Sequence, residues 1–363
     1  MTANESLSWG LVVATYQREK VLPLCLKLAL EQTRKPTEII VIDASDYWED
    51  TRDKVMTEIA SKNSDIRWVY ASAENRSSTL QRNQGLQLAT ADVVFLFDDD
   101  SLMYPTCAEE IMRVYEADTE GVVQGVQADS VDNPPLELVA SDSKKQTGWS
   151  ENGFSFGIIS FLQRLVWKHL FLMDAKLLFL PYDGDFPQHQ IPASVEKLNV
   201  QLVPLLQGYR MTFRRDAILK EIFEPLLRYY AAGEDLDASY RVSRHGPLLV
   251  ALDAKVHHFQ SAGGRLPRFK VSVLSALNQA LCIRKHSSDL KHNRQLFYRL
   301  MARRMLAETL KDALSRRWDL PQARGIWVAL KYSSKLFALP DEELAEWYPY
   351  FQQEFLVSDR LID

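Results

Sequence analysis

Val93-Val94-Phe95-Leu96-Phe97-Asp98-Asp99-Asp100 decides the reading of the chain: five apolar, β-favouring residues run directly into three acids. An apolar run without polar alternation is a strand covered on both faces, the pattern of a central parallel strand. Three adjacent carboxylates repel one another and resist burial, so packing does not account for them. Taken alone, they are either a solvated acidic turn or a site for a hard divalent ion, Mg2+ or Mn2+, shared with phosphate oxygens. The carboxyl edge of an open α/β sheet is also where ligands bind.

Working outward, the same alternation of strand and helix recurs. Leu11 to Thr15 reads as a first strand, and Val21, Leu22, Cys25, Leu28 and Ala29 then repeat at helical spacing, with Pro23 tolerated in the first turn. Glu38 to Asp43 is a second strand ending in an acid, Asp50 to Ser61 is helical, and Arg67 to Tyr70 is a short third strand. Ser78 to Thr90 is a helix carrying Arg82-Asn83-Gln84-Gly85, which leads into the strand at Val93. Repeated βαβ units of this length predict an α/β fold with a mainly parallel sheet.

Bulk properties bound the rest. A chain of 363 residues, 46% hydrophobic, holds two domains or one with an appendage. A net charge of -5 gives no nucleic-acid signal. Cys25, Cys107 and Cys282 are widely spaced without a CxxC pair, which fits a reduced cytoplasmic protein. Met1 to Gly10 lacks the basic start and apolar core of a signal peptide, and no apolar run reaches the ~18 residues of a membrane span. The expectation is a cytoplasmic protein, at most peripheral at the inner face of a membrane.

Four segments converge at strand ends: Val13-Ala14-Thr15-Tyr16-Gln17-Arg18, Val41-Ile42-Asp43-Ala44-Ser45, Arg82-Asn83-Gln84-Gly85 and Phe97-Asp98-Asp99-Asp100. In this order they resemble the successive motifs of family 2 glycosyltransferases of the GT-A fold, with Gln17 departing from the usual Asn. The resemblance implies that Thr15, Tyr16, Arg18 and Asp43 border the nucleotide base and that Arg82 faces the nucleotide. It places Asp98 and Asp99 on the nucleotide-sugar, Asp99 at the ribose, and Asp100 at the metal. The chemistry agrees: Asp43 can accept hydrogen bonds from a base edge or ribose hydroxyls, and Arg82 offers a fork for phosphate.

Past Gly121 to Ala128, a further strand, the pattern breaks up. Asp129 to Lys144 is polar and reads as a loop. From Gly148 to Tyr209 the stretch is irregular and aromatic, with Trp149, Phe154, Phe156, Phe161, Trp167, Phe171, Phe179, Tyr182 and Phe186 as either core or an acceptor surface. We therefore assign residues 129–207 to the acceptor side. Gly208 to Ala217 resembles the family's strand and helix lining the acceptor. Gly233-Glu234-Asp235-Leu236 resembles its "ED" motif, with Asp235 at a helix start where a carboxylate is stabilised. Leu248 to Val256 is a strand leading to His257-His258; by resemblance the first of these, His257, joins the metal or the diphosphate. Gly263-Gly264-Arg265 reads as a loop over the diphosphate.

Residues 1–265 are thus expected to form the catalytic domain and 266–363 a basic helical subdomain, with Leu274, Leu277 and Leu281 at helical spacing. Its Lys and Arg far outnumber Asp289, Glu308, Asp312 and Asp319 up to Lys335. That composition suits an anionic lipid surface, a diphosphate-linked lipid acceptor, a homo-oligomer contact or an ordinary packed helical unit. Leu314-Ser315-Arg316-Arg317-Trp318 is superficially similar to the QxxRW signature of chain-extruding relatives but lacks the Gln.

The implied reaction is metal-dependent, inverting transfer of a sugar from a nucleotide-diphosphate donor to a hydroxyl of a glycan or lipid-linked acceptor, in polysaccharide or glycoconjugate synthesis. Asp235, with Glu234 beside it, is the expected catalytic base. The rivals are a non-catalytic relative that binds nucleotide-sugar or serves as a scaffold, and a sugar-phosphate nucleotidyltransferase. The second would carry a glycine-rich loop where Thr15-Tyr16-Gln17-Arg18-Glu19 stands.

Overall fold

The computed structural model describes residues 6–135, 179–259 and 266–358. Trp149, Phe154, Phe156, Phe161, Trp167 and Phe171, the rest of the loop beyond position 135, and Gly263-Gly264-Arg265 lie outside those residues. The chain divides into two compact units, one of residues 1–146, 187–225 and 234–264, the other of 147–186, 226–233 and 265–363.

The first unit is built on one sheet. Its strands are β1 (Trp9–Thr15), β2 (Glu38–Asp43), β3 (Arg67–Ser72), β4 (Val93–Phe97), β5 (Ser101–Met103), β6 (Gly125–Ser130), β7 (Val200–Leu202), β8 (Arg210–Arg214) and β9 (Leu248–His258). They are ordered β3-β2-β1-β4-β8-β6-β9-β5, with β7 against β9. The parallel half read from the sequence is β3-β2-β1-β4. β8 then enters antiparallel between β4 and β6, and β5 and β7 lie antiparallel to β9, so the sheet is mixed. The antiparallel strands follow irregular connections, which carry no βαβ spacing to announce them.

The decisive strand β4 is buried along its whole length because its two faces feed two cores. Val93, Phe95 and Phe97 join Leu11, Val13, Ile39 and Val41 on one side. Val94 and Leu96 join Val12, Ile40 and Ile42 on the other. Trp9 lies 4.4 Å from Phe95, ring to ring, and Phe95 lies 5.5 Å from Phe97. Helices α1 (Leu22–Leu30) and α4 (Cys107–Ala117) cover the first face. Helices α3 (Ser78–Leu88), α5 (Arg215–Lys220) and α6 (Glu234–Ser243) cover the second, while α2 (Trp48–Glu58) follows β2. Truncating a side chain as buried as Phe95 costs about 3–5 kcal/mol.

Gly85 lets α3 approach the sheet: a Cβ there would lie 2.4 Å from Val12. Below it, buried Glu38 accepts from the Thr90 and Ala91 amides at 2.7 and 2.8 Å and from Arg67. Burial pushes the Glu38 carboxyl up, but these hydrogen bonds outweigh it and hold it below its ordinary value.

The second unit is helical where it is described: α7 (Arg268–His286), α8 (Leu290–Leu314), α9 (Pro321–Ala338) and α10 (Asp341–Ser358). Leu274, Leu277 and Leu281 are all buried on α7. Gly325 lets α9 cross α7 closely, since a Cβ would stand 2.7 Å from the Phe269 carbonyl. Phe179, Tyr182 and Phe186 are buried in this unit, with Phe179 6.1 Å from each of the other two rings, so these three aromatics are core. No described helix is long and apolar enough to cross a membrane.

Candidate active site

The carboxyl ends of β1, β2 and β4 adjoin one another because the strands are parallel and in register. That geometry alone brings Thr15, Asp43 and the three acids to one edge. Gln81, buried on α3, ties the edge together by donating to the carbonyls of Thr15 at 2.9 Å and Ile42 at 2.8 Å. Nothing in its spacing marks Gln81; only the neighbouring Arg82 drew attention.

Asp43 is buried, with one carboxylate oxygen accepting from the Ser45 amide at 2.8 Å and the other from the Tyr70 hydroxyl at 2.6 Å. Burial and the Asp43 anion together push the Tyr70 phenol up, so it stays a donor. Tyr16 lies under Arg76, whose guanidinium is 4.8 Å from the ring centre and also pairs with Asp46. Between them Gln17 adopts φ 53 and donates its amide to Ser45 Oγ at 2.8 Å. In this left-handed region Asn is favoured over Gln, so the departure noted in the sequence carries a strain of about 1 kcal/mol.

The three acids have separate surroundings. Asp99 is buried and accepts from Thr15 Oγ1 at 2.7 Å. Burial, together with repulsion from Asp100 and Asp98, pushes its carboxyl up to about 7, against the pull of Thr15 and Arg18. Asp100 pairs with Arg18 at 3.0 Å and with His258 Nε2 at 3.3 Å. Asp98 pairs with Arg82 at 2.7 Å, and its carbonyl receives the buried Cys25 thiol at 3.7 Å. Ligand atoms of Asp98, Asp100 and His258 all lie within 4.8 Å of one another.

This trio holds the second histidine of the His257-His258 pair. His257 stands away from the acids, with its Nδ1 3.0 Å from the Val131 carbonyl, and His258 takes the place beside Asp100. Strand β9 continues through both residues, and successive side chains of a strand point to opposite faces. His258 pairs across the sheet with Ser101, the residue after Asp100, whereas His257 pairs with Leu102. Ending the strand at Val256 concealed this parity. Tyr209 then fixes the His258 ring, stacked 4.3 Å from it at 10°.

Two carboxylates and one imidazole make a set of hard oxygen and borderline nitrogen donors. That set fits a divalent ion, Mn2+ more naturally than Mg2+.

Arg82 stands between two acidic groups. It is buried, and its fork is spent on protein carboxylates: Nη1 reaches Glu234 at 2.6 Å and Nη2 reaches Asp98 at 2.7 Å. Burial works against its charge, yet Asp98, Glu234 and Asp235 outweigh that and hold it firmly protonated. It therefore joins the β4 acids to the start of α6 rather than presenting a vacant fork to phosphate.

Asp235 is oriented by backbone amides, accepting from Gly208 at 2.7 Å and from Leu236 at 2.9 Å. Gly208 leaves room for this contact, since a Cβ there would lie 3.3 Å from the Asp235 carboxylate. Burial is the main cause raising the Asp235 carboxyl, opposed by those amides and Arg82. Glu234 beside it is pushed up to about 7 by burial and by the Asp235 charge.

Residues 11–170 match the family model described as Glycosyl transferase family 2. Among relatives, the glucosyl-dolichyl phosphate glucuronosyltransferase of Haloferax volcanii is 30% identical over 150 residues, covering 40% of this chain and 46% of the relative. The chain thus matches about half the length of that protein. Among solved structures, the mannosyltransferase PcManGT from Pyrobaculum calidifontis, in complex with GDP-Man and Mn2+, superposes with a TM-score of 0.51. That likeness has 14% identity and covers 99% of this chain and 89% of that one. S. aureus TarS in complex with UDP-GlcNAc gives a TM-score of 0.50 at 13% identity, covering 96% and 92%. At these identities the structural likeness establishes the GT-A fold.

Proposed function

We propose, from the match of residues 11–170 to the glycosyl transferase family 2 model, that the protein is a metal-dependent inverting glycosyltransferase. The donor is a nucleotide-diphosphate sugar, and the acceptor is a hydroxyl of a glycan or lipid-linked molecule. The observation that carries this reading is the pairing of two distinct acidic groups around one buried arginine: Asp98 and Asp100 with His258 on one side, Glu234 and Asp235 on the other.

The chemistry divides between the two groups. Thr15, Tyr16, Arg18 and Asp43 hold the nucleoside, with Asp99 toward the ribose. A divalent ion held by Asp98, Asp100 and His258 would supply Lewis-acid neutralisation of the diphosphate. Asp235 takes the proton of the acceptor hydroxyl as its oxygen bonds to the anomeric carbon and the carbon–oxygen bond to the diphosphate breaks. One base on the acceptor side means a single displacement with inversion. Glu234 keeps Arg82 in place, so that Arg82 holds Asp98 at the metal set.

The test has two parts. A thermal-shift screen of UDP-, GDP-, dTDP- and CMP-sugars should show one class that stabilises the protein with Mn2+ and loses the effect with chelator. At 100 times its dissociation constant such a donor stabilises by ~2.7 kcal/mol. The anomeric configuration of the transferred sugar, read by NMR, should be inverted. Stabilisation by no nucleotide-sugar would leave the scaffold reading, and retention of configuration would remove Asp235 from the base role.

A further inference from the structure

Helix α8 and the corner that follows it display apolar side chains that no sequence pattern of a packed helix requires. Leu306, Leu310 and Leu314 recur every four residues, so they share one face, and all three are exposed. Leu306 is 56% exposed, Leu314 67% and Trp318, just past the helix end, 75%. Arg299 and Arg303 continue the same face toward the helix start, and Arg316 lies between Leu314 and Trp318. On α9, Trp327 is also exposed, with the Lys331 ammonium 5.8 Å from its ring.

The corner is built rather than loose. Arg316 and Leu320 both adopt left-handed backbone, at φ 56 and 46. Neither is a residue that favours it, and such conformations persist only where the surroundings determine them. Here fully buried Asp312 does so: it accepts from the Gln322 amide at 3.0 Å, and its own carbonyl receives the Arg317 amide at 2.8 Å. Trp318 is therefore held outward by an ordered turn.

Charge completes the pattern. Between Arg265 and Lys335 the sequence has sixteen Lys and Arg against four acids, in a chain whose net charge is -5. Two of those acids face inward, Glu308 paired with Lys311 and Asp312 with Arg317. Asp319 at the corner and Asp289 at the start of α8 are the exposed acids of that stretch, so its outward charge is mainly positive.

We propose that the exposed face Leu306–Leu310–Leu314–Trp318, with Arg299, Arg303 and Arg316 around it, is a docking surface for an anionic lipid bilayer. Leucines and an indole among cations is the composition of a helix lying in a membrane interface, its apolar side chains below the headgroups and its guanidiniums at their level. The cations set the preference for anionic lipid. A symmetric contact with a second copy fits less well, because it would set the Arg299, Arg303 and Arg316 face of one copy against the same cationic face of the other. This inference stands on the helical unit alone and does not depend on the donor reading.

The test is sedimentation of the full chain with vesicles of pure phosphatidylcholine or of phosphatidylcholine with phosphatidylglycerol. The protein should partition onto the anionic vesicles only, and high salt should release it. The variant Leu306→Ser/Leu314→Ser/Trp318→Ser should lower partitioning by about tenfold or more, with an unchanged melting temperature because all three side chains are more than half exposed. Arg299→Gln/Arg303→Gln/Arg316→Gln should lose binding similarly. A protein that stays in the supernatant with anionic vesicles overturns the proposal, as does unchanged partitioning of the apolar variant. A concentration-dependent dimer abolished by the same apolar substitutions would assign the face to a second copy instead.

Discussion

The acids at the end of β4 and those at the start of α6 are both crowded and both joined to buried Arg82, yet they are stabilised by different means. At β4 the compensation comes from side-chain cations, Arg18 on Asp100 and Arg82 on Asp98, with His258 alongside. At α6 Asp235 is held by two backbone amides, and Glu234 takes the other end of Arg82. Side-chain partners can rearrange around an arriving ion, whereas amides hold a carboxylate in one orientation. The first arrangement suits a group that receives a metal and diphosphate. The second suits a group that must point at one hydroxyl and change protonation there.

The largest effect should separate the two groups. Asp235→Asn should lower kcat/KM by about 10²–10⁴-fold, while Mn2+-dependent stabilisation by the donor persists in a thermal-shift assay. Near-normal turnover would break the comparison. Asp100→Ala should give the complementary result, a loss of about 10²–10³-fold in which calorimetry finds metal-dependent donor binding gone as well.

Removing the shared arginine probes both groups through stability. Arg82→Met leaves Glu234 and Asp98 without their partner and should destabilise the fold by about 3–5 kcal/mol at pH 8. The deficit in urea melts should shrink as pH falls, because protonation neutralises the stranded carboxyls. A deficit independent of pH would mean that packing, not charge, was lost.

Titration provides a finer distinction. A base must be anionic, and burial raises the Asp235 carboxyl above its ordinary range, with Glu234 at about 7. The acid limb of log kcat/KM against pH should therefore lie above the range of an ordinary aspartate. Stability has the opposite slope: a raised carboxyl pKa favours the fold on the acid side, and that contribution is lost as pH rises through about 7. Glu38, whose pKa is lowered, contributes above its ordinary range and loses that contribution as pH falls.

The smallest contrast lies within one dipeptide. His258→Ala should weaken Mn2+-dependent donor binding by about tenfold, and His257→Ala should leave it nearly unchanged. The reverse ranking would return the metal role to His257.

The parallel strands β1 to β4, the helices between them and the acids at their ends are legible because each depends on local pattern, such as the apolar run Val93 to Phe97; the short strands Ser101–Met103 and Val200–Leu202 and the helix Cys107–Ala117 are not. From the parallel order of β1, β2 and β4, the meeting of Thr15, Asp43 and Asp98 to Asp100 follows directly. What the sequence left open is set by long-range placement. Arg82 and Glu234 are 152 positions apart, so no spacing rule announces that the arginine will be spent on protein carboxylates. The choice between His257 and His258 rests on where β9 ends, which pairing with β5 decides. Gln81 and Tyr209 are ordinary residues in one dimension and become supports for the site only once β1, β2, β8 and β9 are side by side. Local sequence determines which groups lie at a strand's end; tertiary pairing decides which way each one points and which charge it meets there.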